Sequence, residues 1–230
     1  MALANYTDLL SAINGAAGWL HRADLGSIAP DWITLAEVTM NDGDLETLNV
    51  PALRTGDQET IYTYNCVPKV QTLALPSNFL EMRKVYITYG GSRLELQQAP
   101  VLPIRYDELS NVASVPRSYI VVGSSLYLIP IPDQAYPVTL DYYAKIGPLT
   151  ASSSTNWLMT AAPNCYLSGA IVHGAPWLGP KFDPNPWIAA FRTSMRQVQR
   201  SDLLKRTHLT QMRSDASQLQ RSPFNIMVGN

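Results

Sequence analysis

Arginine recurs at every fourth position in Arg192, Arg196 and Arg200, and Lys205 and Arg206 extend the row. On a helix that spacing lines the guanidinium groups along one side. Such a row binds carboxylates or phosphates through forked, charge-assisted hydrogen bonds. It also occurs as an ordinary solvated face, and the sequence leaves both readings open. An acidic protein surface suits the row better than DNA does. Direct DNA binding normally brings a large positive balance, and the net charge here is -1.

The remaining candidates for chemistry are sparse. His21, His173 and His208 lie far apart, in no HxxxH or HExxH setting, so packing accounts for them and no metal or cofactor is expected. Cys66 and Cys165 give neither a metal spacing nor a disulfide framework, which points to folding in a cytosol. Neither a phosphate-binding glycine loop nor a GxSxG elbow occurs, so two common routes to catalysis are missing. Asp42-Gly43-Asp44 begins like a calcium loop, but Leu45 to Leu48 lack the ligands, and a solvated turn is the simpler reading. Glu81 with Asp107 or Glu108 would make a glycosidase pair only if folding happened to juxtapose them. Tyr62, Tyr64, Tyr86, Tyr89, Tyr142 and Tyr143 cluster mid-chain. Aromatic strand faces can stack sugars or bases, yet cross-strand packing in a core is their commoner use. Tyr143 is the exception, expected on a wetter face. The chain reads as a protein without an enzymatic function.

Positioning these residues takes helices at both ends and strands between. Residues 5–15 suggest a short helix capped by Asn5 or Thr7, with Leu9, Leu10 and Ile13 on one side. A second begins near Pro30, carries Trp32, Leu35, Ala36 and Thr39 at helical spacing, and fades at Asn41 to Asp44. From about 58 to 148 the period becomes two. Strands are expected at 61–66, 70–75, 83–89, 93–96, 119–122, 126–129 and 138–143, with hairpin turns at Gly90-Gly91 and Gly123-Ser124-Ser125. Val138, Leu140 and Tyr142 alternate with polar or wetter neighbours, the pattern of a strand with one dry side. Residues 103–110 could add a short helix. Helical periodicity returns with Pro163 in a first turn, and Gly169, Ala170, Gly174 and Ala175 make that helix thin until Pro176 ends or kinks it. A last helix spans about 186–207, with Trp187, Phe191, Met195 and Val198 as its apolar stripe.

Short helices cannot bury their apolar faces alone. The expected fold is therefore α+β: a discontinuous helical bundle from residues 1–50 and 152–207, and an inserted antiparallel β-sandwich or barrel over 58–148. Residues 208–230 are polar apart from Phe224 to Val228, which suggests an extended C-terminal arm that orders on a partner, or a frayed end.

Composition suits a protein that hides surface against other chains, and equally a merely neutral monomer. Charged residues are 15% of the total, against roughly 25% in a typical soluble domain, and interface cores are depleted in charge. Residues 1–180 carry 9 basic and 15 acidic side chains, whereas residues 181–230 carry 8 basic and 3 acidic. Opposite balances of this kind suit different partners at the two ends, or head-to-tail packing of identical copies. The N-terminus has Asp8 and no basic run before an apolar stretch, so no signal peptide is expected, and no apolar run suggests a membrane span.

Three phrases carry a family likeness. The first is Leu75-Pro76-Ser77-Asn78-Phe79-Leu80-Glu81-Met82-Arg83 with Val85-Tyr86-Ile87. Pro116-Arg117-Ser118-Tyr119 then leads into Leu126-Tyr127-Leu128-Ile129-Pro130-Ile131-Pro132. Last come Asn156-Trp157-Leu158 and Pro163-Asn164-Cys165-Tyr166-Leu167-Ser168-Gly169-Ala170. In this order, over about residues 1–205, the chain resembles the head-to-tail adaptor (connector) proteins of tailed bacteriophages, a group that includes tail tubular protein A. The resemblance implies a structural virion protein of the neck, made in the host cytoplasm. It implies a closed homo-oligomeric ring of about twelve copies, set between the portal protein and the tail or nozzle protein. DNA would pass through the ring during ejection without sequence-specific binding. It further implies that Arg192, Arg196, Arg200, Lys205, Arg206, Arg213, Phe224, Ile226 and Met227 contact the portal or a neighbouring subunit. A different tail-completion or nozzle protein, or a virion-associated cell-wall hydrolase, are the alternative readings. The chain departs from the family at His173-Gly174-Ala175-Pro176, where an acidic residue followed by alanines is usual, and at Pro180, Pro184 and Pro186 before the last helix.

Overall fold

A computed structural model describes residues 3–100 and 113–219, and side chains as far as Thr207. The chain is α+β and divides into two compact units, Met1–Thr55 with Pro148–Asn230, and Gly56–Gly147.

The first unit is helical. Asn5 caps α1 (Tyr6–Ile13), its side-chain oxygen accepting from the Asp8 amide at 3.0 Å, and this satisfies a donor that the helix itself cannot. α2 (Ala29–Asp42) takes Pro30 in its first turn and buries Trp32, Ile33, Ala36 and Met40. Leu35, expected on that stripe, lies instead on the exposed face. A short helix that the sequence did not suggest, α3 (Trp157–Ala161), is capped by Asn156, which accepts from the Met159 amide at 2.8 Å. α4 (Pro163–Leu178) starts at its proline and runs through Pro176 to Leu178, two residues further than expected. α5 (Asn185–Leu219) is longer than expected too, since it continues twelve residues past Thr207. Residues 208–219 are therefore helical, which corrects the extended arm assigned to them; the remainder of that arm lies outside the described residues.

α4 is the centre of the unit. A Cβ on Gly169 would stand 3.0 Å from both the Ala36 Cβ on α2 and the Phe191 ring on α5. The missing side chain is what lets two helices close on the third. Phe191 and Met195 are fully buried there, each contributing about 1.5–3 kcal/mol of transfer free energy.

The second unit is one curled seven-stranded sheet. Its strands are β1 (Glu59–Asn65), β2 (Thr72–Ala74), β3 (Phe79–Tyr89), β4 (Ser92–Gln98), β5 (Ser118–Val122), β6 (Ser125–Ile129) and β7 (Pro137–Ala144). They lie in the order β1-β7-β3-β4-β5-β6-β2. All neighbours are antiparallel except β4 and β5, which run parallel. A parallel neighbour needs a long crossover, and the connection from Gln98 to Ser118 supplies it; the expected helix at 103–110 falls there, outside the described residues. The sheet is neither a sandwich nor a closed barrel, because β1 and β2 end it and do not pair with each other. Irregular pairing of β3 with β7 around Phe79–Lys84 adds local bend. Val138, Leu140 and Tyr142 do form the dry side of β7, joined by Val85, Ile87, Leu126 and Leu128.

Candidate functional site

Along the arginine row the side chains have unequal surroundings. Phe191, Ser194 and Met195 are buried, which places Arg192 at the rim, half-buried. Its Nε donates to the Leu48 carbonyl at 2.5 Å and so ties α5 to the segment after α2. Arg196 and Arg200 are exposed, with no side-chain partner among the described residues. Arg206 pairs with Asp202 one turn back, Nε to carboxylate 2.9 Å, and Lys205 also is exposed. The row thus separates into a structural member, Arg192, and outward cations further along. The backbone of Arg213 lies in α5, while Phe224, Ile226 and Met227 lie outside the described residues.

Exposed apolar groups accompany those cations. Leu203 is 62% and Leu204 54% exposed. A shallow groove on the same stretch is lined by Gln197, Arg200, Ser201, Leu204 and Lys205. At the other end of α5, Trp187 meets Trp19 edge to face at 5.8 Å, and both border a groove that continues over Leu167 and Ser168 of α4 to Gln197.

The interior holds one polar cluster that the sequence reading missed. Glu37 on α2 is 7% exposed, and its Oε1 accepts from the Leu149 amide at 2.7 Å and from the Tyr166 hydroxyl at 3.2 Å. Asn156 donates from Nδ2 to the same hydroxyl at 2.6 Å. Burial raises the Glu37 carboxyl from its usual 4.5 to about 7, against the opposing pull of the two hydrogen bonds. Four segments, α2, residue 149, the α3 cap and α4, meet at this carboxyl. The sequence signal was faint: a lone glutamate between Ala36 and Val38 on an otherwise apolar helix face.

Other candidates resolve into structural roles. His173 Nε2 lies 2.9 Å from the Thr39 hydroxyl, and burial holds its pKa below the usual value. Cys66 and Cys165 are free and buried, the latter thiol pushed up to about 11 by burial, which makes it inert. Asp44 folds its own turn by accepting from the Thr47 amide at 2.8 Å. Among the described residues no cluster of three His, Cys, Asp or Glu could hold a metal, and no helix is long and apolar enough to cross a membrane. Glu81 is described, whereas Asp107 and Glu108 lie outside the described residues. In the sheet, Tyr142 is buried and hydrogen-bonds Asn78 at 2.9 Å, and Tyr143 sits half-exposed beneath Arg83, whose guanidinium is 5.3 Å from the ring centroid. Arg83 also pairs with Glu59 at 2.7 Å and Asp141 at 3.2 Å. The aromatic and charged groups of that face therefore serve each other across β1, β7 and β3. Tyr62 and Tyr89 are exposed, contrary to a purely core role.

Outward cations thus stand beside exposed leucines on α5, and two tryptophans border a groove at its start. No curated protein matches the chain. A family model, that of the SU10 adaptor protein, matches residues 4–216. Across nearly its whole length, then, the chain belongs to the SU10 adaptor protein family, which makes it a bacteriophage adaptor and a structural component of the virion.

Proposed function

We propose that this chain is the head-to-tail adaptor of a phage neck, a ring of about twelve copies seated under the capsid portal. DNA passes through its centre without sequence-specific contact, and the opposite side docks the tail or nozzle protein. The helices from both chain ends act as the ring-forming body, the sheet unit faces the tail, and residues 220–230 form an arm. Lys205, Arg206 and Arg213, with Phe224, Ile226 and Met227, engage the portal.

The observation that carries this reading is the family match over residues 4–216. Two features support it. Basic residues concentrate after residue 180 and acidic ones before it, as a directional stack of unlike rings requires. The exposed Leu203 and Leu204 on α5 have no cover among the described residues.

Purified chain and purified portal provide the test. The adaptor should bind the portal directly, with an affinity that falls as salt rises, and images of the particle neck should show its ring between portal and tail. A chain that binds only tail proteins and lies away from the portal is a different neck component.

A further inference from the structure

α2 and α5 each present a second, outward stripe. On α2, Asp31, Leu35, Val38 and Asp42 follow at i, i+4, i+7 and i+11, and all four are exposed, Leu35 by 48% and Val38 by 51%. That spacing is one straight face, with an apolar centre and a carboxylate at each end. Neither carboxylate has a partner among the described residues. On α5 the construction repeats with the opposite sign. Arg196 and Arg200 precede Leu203 and Leu204 on the side away from Phe191 and Met195. From Arg200 to Thr207 every side chain but Asp202 is exposed, and a helical stretch that buries so little is marginal by itself.

The steps of the two stripes agree. Four residues separate Asp31 from Leu35 and Asp42 from Val38, and three or four separate Arg200 from Leu203 and Leu204. At 1.5 Å per residue both intervals are about 5–6 Å. When a carboxylate of α2 meets Arg200, an aliphatic side chain of α2 therefore meets the leucine pair. The stripes do not meet within one copy, since every residue of both is exposed. Ala36 of α2 and Phe191 of α5 both turn inward to Gly169 of α4, while the two stripes stay exposed.

We infer that the Asp31–Leu35–Val38–Asp42 face of one copy docks on the Arg196–Arg200–Leu203–Leu204 face of a second copy of this chain. The contact is heterologous, so each copy keeps one face free for the next and the series closes when the rotation per copy allows. The inference rests on the ring proposed above and gives its interface in residues. Apolar contact supplies the affinity, and the charges set partner and register.

Charge inversion separates this contact from any other. Two full-length variants are made, Asp31→Lys with Asp42→Lys, and Arg196→Glu with Arg200→Glu. All four positions are exposed, so both should fold, as thermal melting will verify. Sedimentation velocity reads assembly at low salt. The wild type should assemble, and each variant alone should associate about 10- to 100-fold more weakly, because like charges now face each other across every joint. An equimolar mixture should recover the wild-type assembly with the two variants alternating, since the inverted α2 face of one matches the inverted α5 face of the other and their two native faces match as well. Variants that assemble like the wild type, or a mixture that does not recover, overturn this interface and leave the ring to form through other faces. A wild type that stays monomeric while binding portal overturns self-docking and assigns the stripes to a different partner. Absence of both self-association and portal binding would end the adaptor reading itself.

Discussion

Glu37 is the residue whose chemistry the fold changes most. A carboxylate this enclosed loses hydration that two hydrogen bonds and no cation replace, so the neutral form is favoured. The folded-state value of about 7 exceeds the ordinary 4.5, and the native protein therefore holds the proton across that interval. The resulting stability is complete below 4.5 and is lost as pH rises through about 7. Tyr166 and Asn156 face the carboxyl from α4 and the α3 cap, and neither changes charge in that window. Glu37→Gln keeps an oxygen for the Leu149 amide and removes the ionisation. The difference between its unfolding free energy and that of the wild type should grow as pH rises, reaching up to about 3 kcal/mol in favour of the variant at about pH 8. Urea melts of both chains across that range would show it. Parallel curves would mean that water reaches the carboxyl and relieves its burial.

The α2–α4 contact poses an element-scale question with two opposing terms. Gly174 lies inside α4, where glycine costs about 1 kcal/mol relative to alanine. A Cβ there would fall 2.5 Å from the Trp32 ring, and a fused aromatic ring cannot yield as the end of a flexible chain does. Overpacking of this sort costs about 1–3 kcal/mol, so the steric term wins. Gly174→Ala should unfold at a lower temperature than the wild type, and Gly174→Ala with Trp32→Leu should recover part of the loss; calorimetry tests both. The small residues of α4 were legible in the sequence as a thin helix, as were Asn5 as a cap, Pro163 as a helix start and the alternation of Val138, Leu140 and Tyr142. What escaped has physical reasons. Leu35 looked like core because helical spacing cannot tell a buried stripe from one reserved for another surface. The parallel pairing of β4 with β5 depends on a crossover, which leaves no period in the strands themselves. The end of α5 was misjudged because Gln211, Ser214 and Ser217 carry no apolar period, and a helix without one reads as coil. Arg192 could not be separated from Arg196 by spacing, since only the carbonyl of Leu48 distinguishes them. Glu37 was invisible because its partners lie at positions 149, 156 and 166, more than a hundred residues away.

For the whole molecule, the reach of its C-terminal end decides what that end can do. Met195 is fully buried on α5, and the helix continues to Leu219, 24 residues later, a distance of about 36 Å along the axis. Phe224 follows five residues after Leu219 and can lie at most about 18 Å from it. Phe224 therefore cannot return to Met195 of its own chain. Water is a poor place for it, and in a ring docked to a portal a second chain is at hand. The basic excess after residue 180 draws the same end toward acidic surface. Deleting residues 222–230 should leave the thermal melt of the isolated chain unchanged, because the cover proposed for the segment lies on a second chain. Portal binding measured by interferometry should weaken by at least about tenfold, through faster dissociation. Removing only Arg213 by Arg213→Gln should instead lower the salt dependence and change dissociation little, if its charge acts on encounter alone. If the shortened chain binds portal as tightly as the full one, the apolar end has no portal partner, and the contact belongs to the described part of α5.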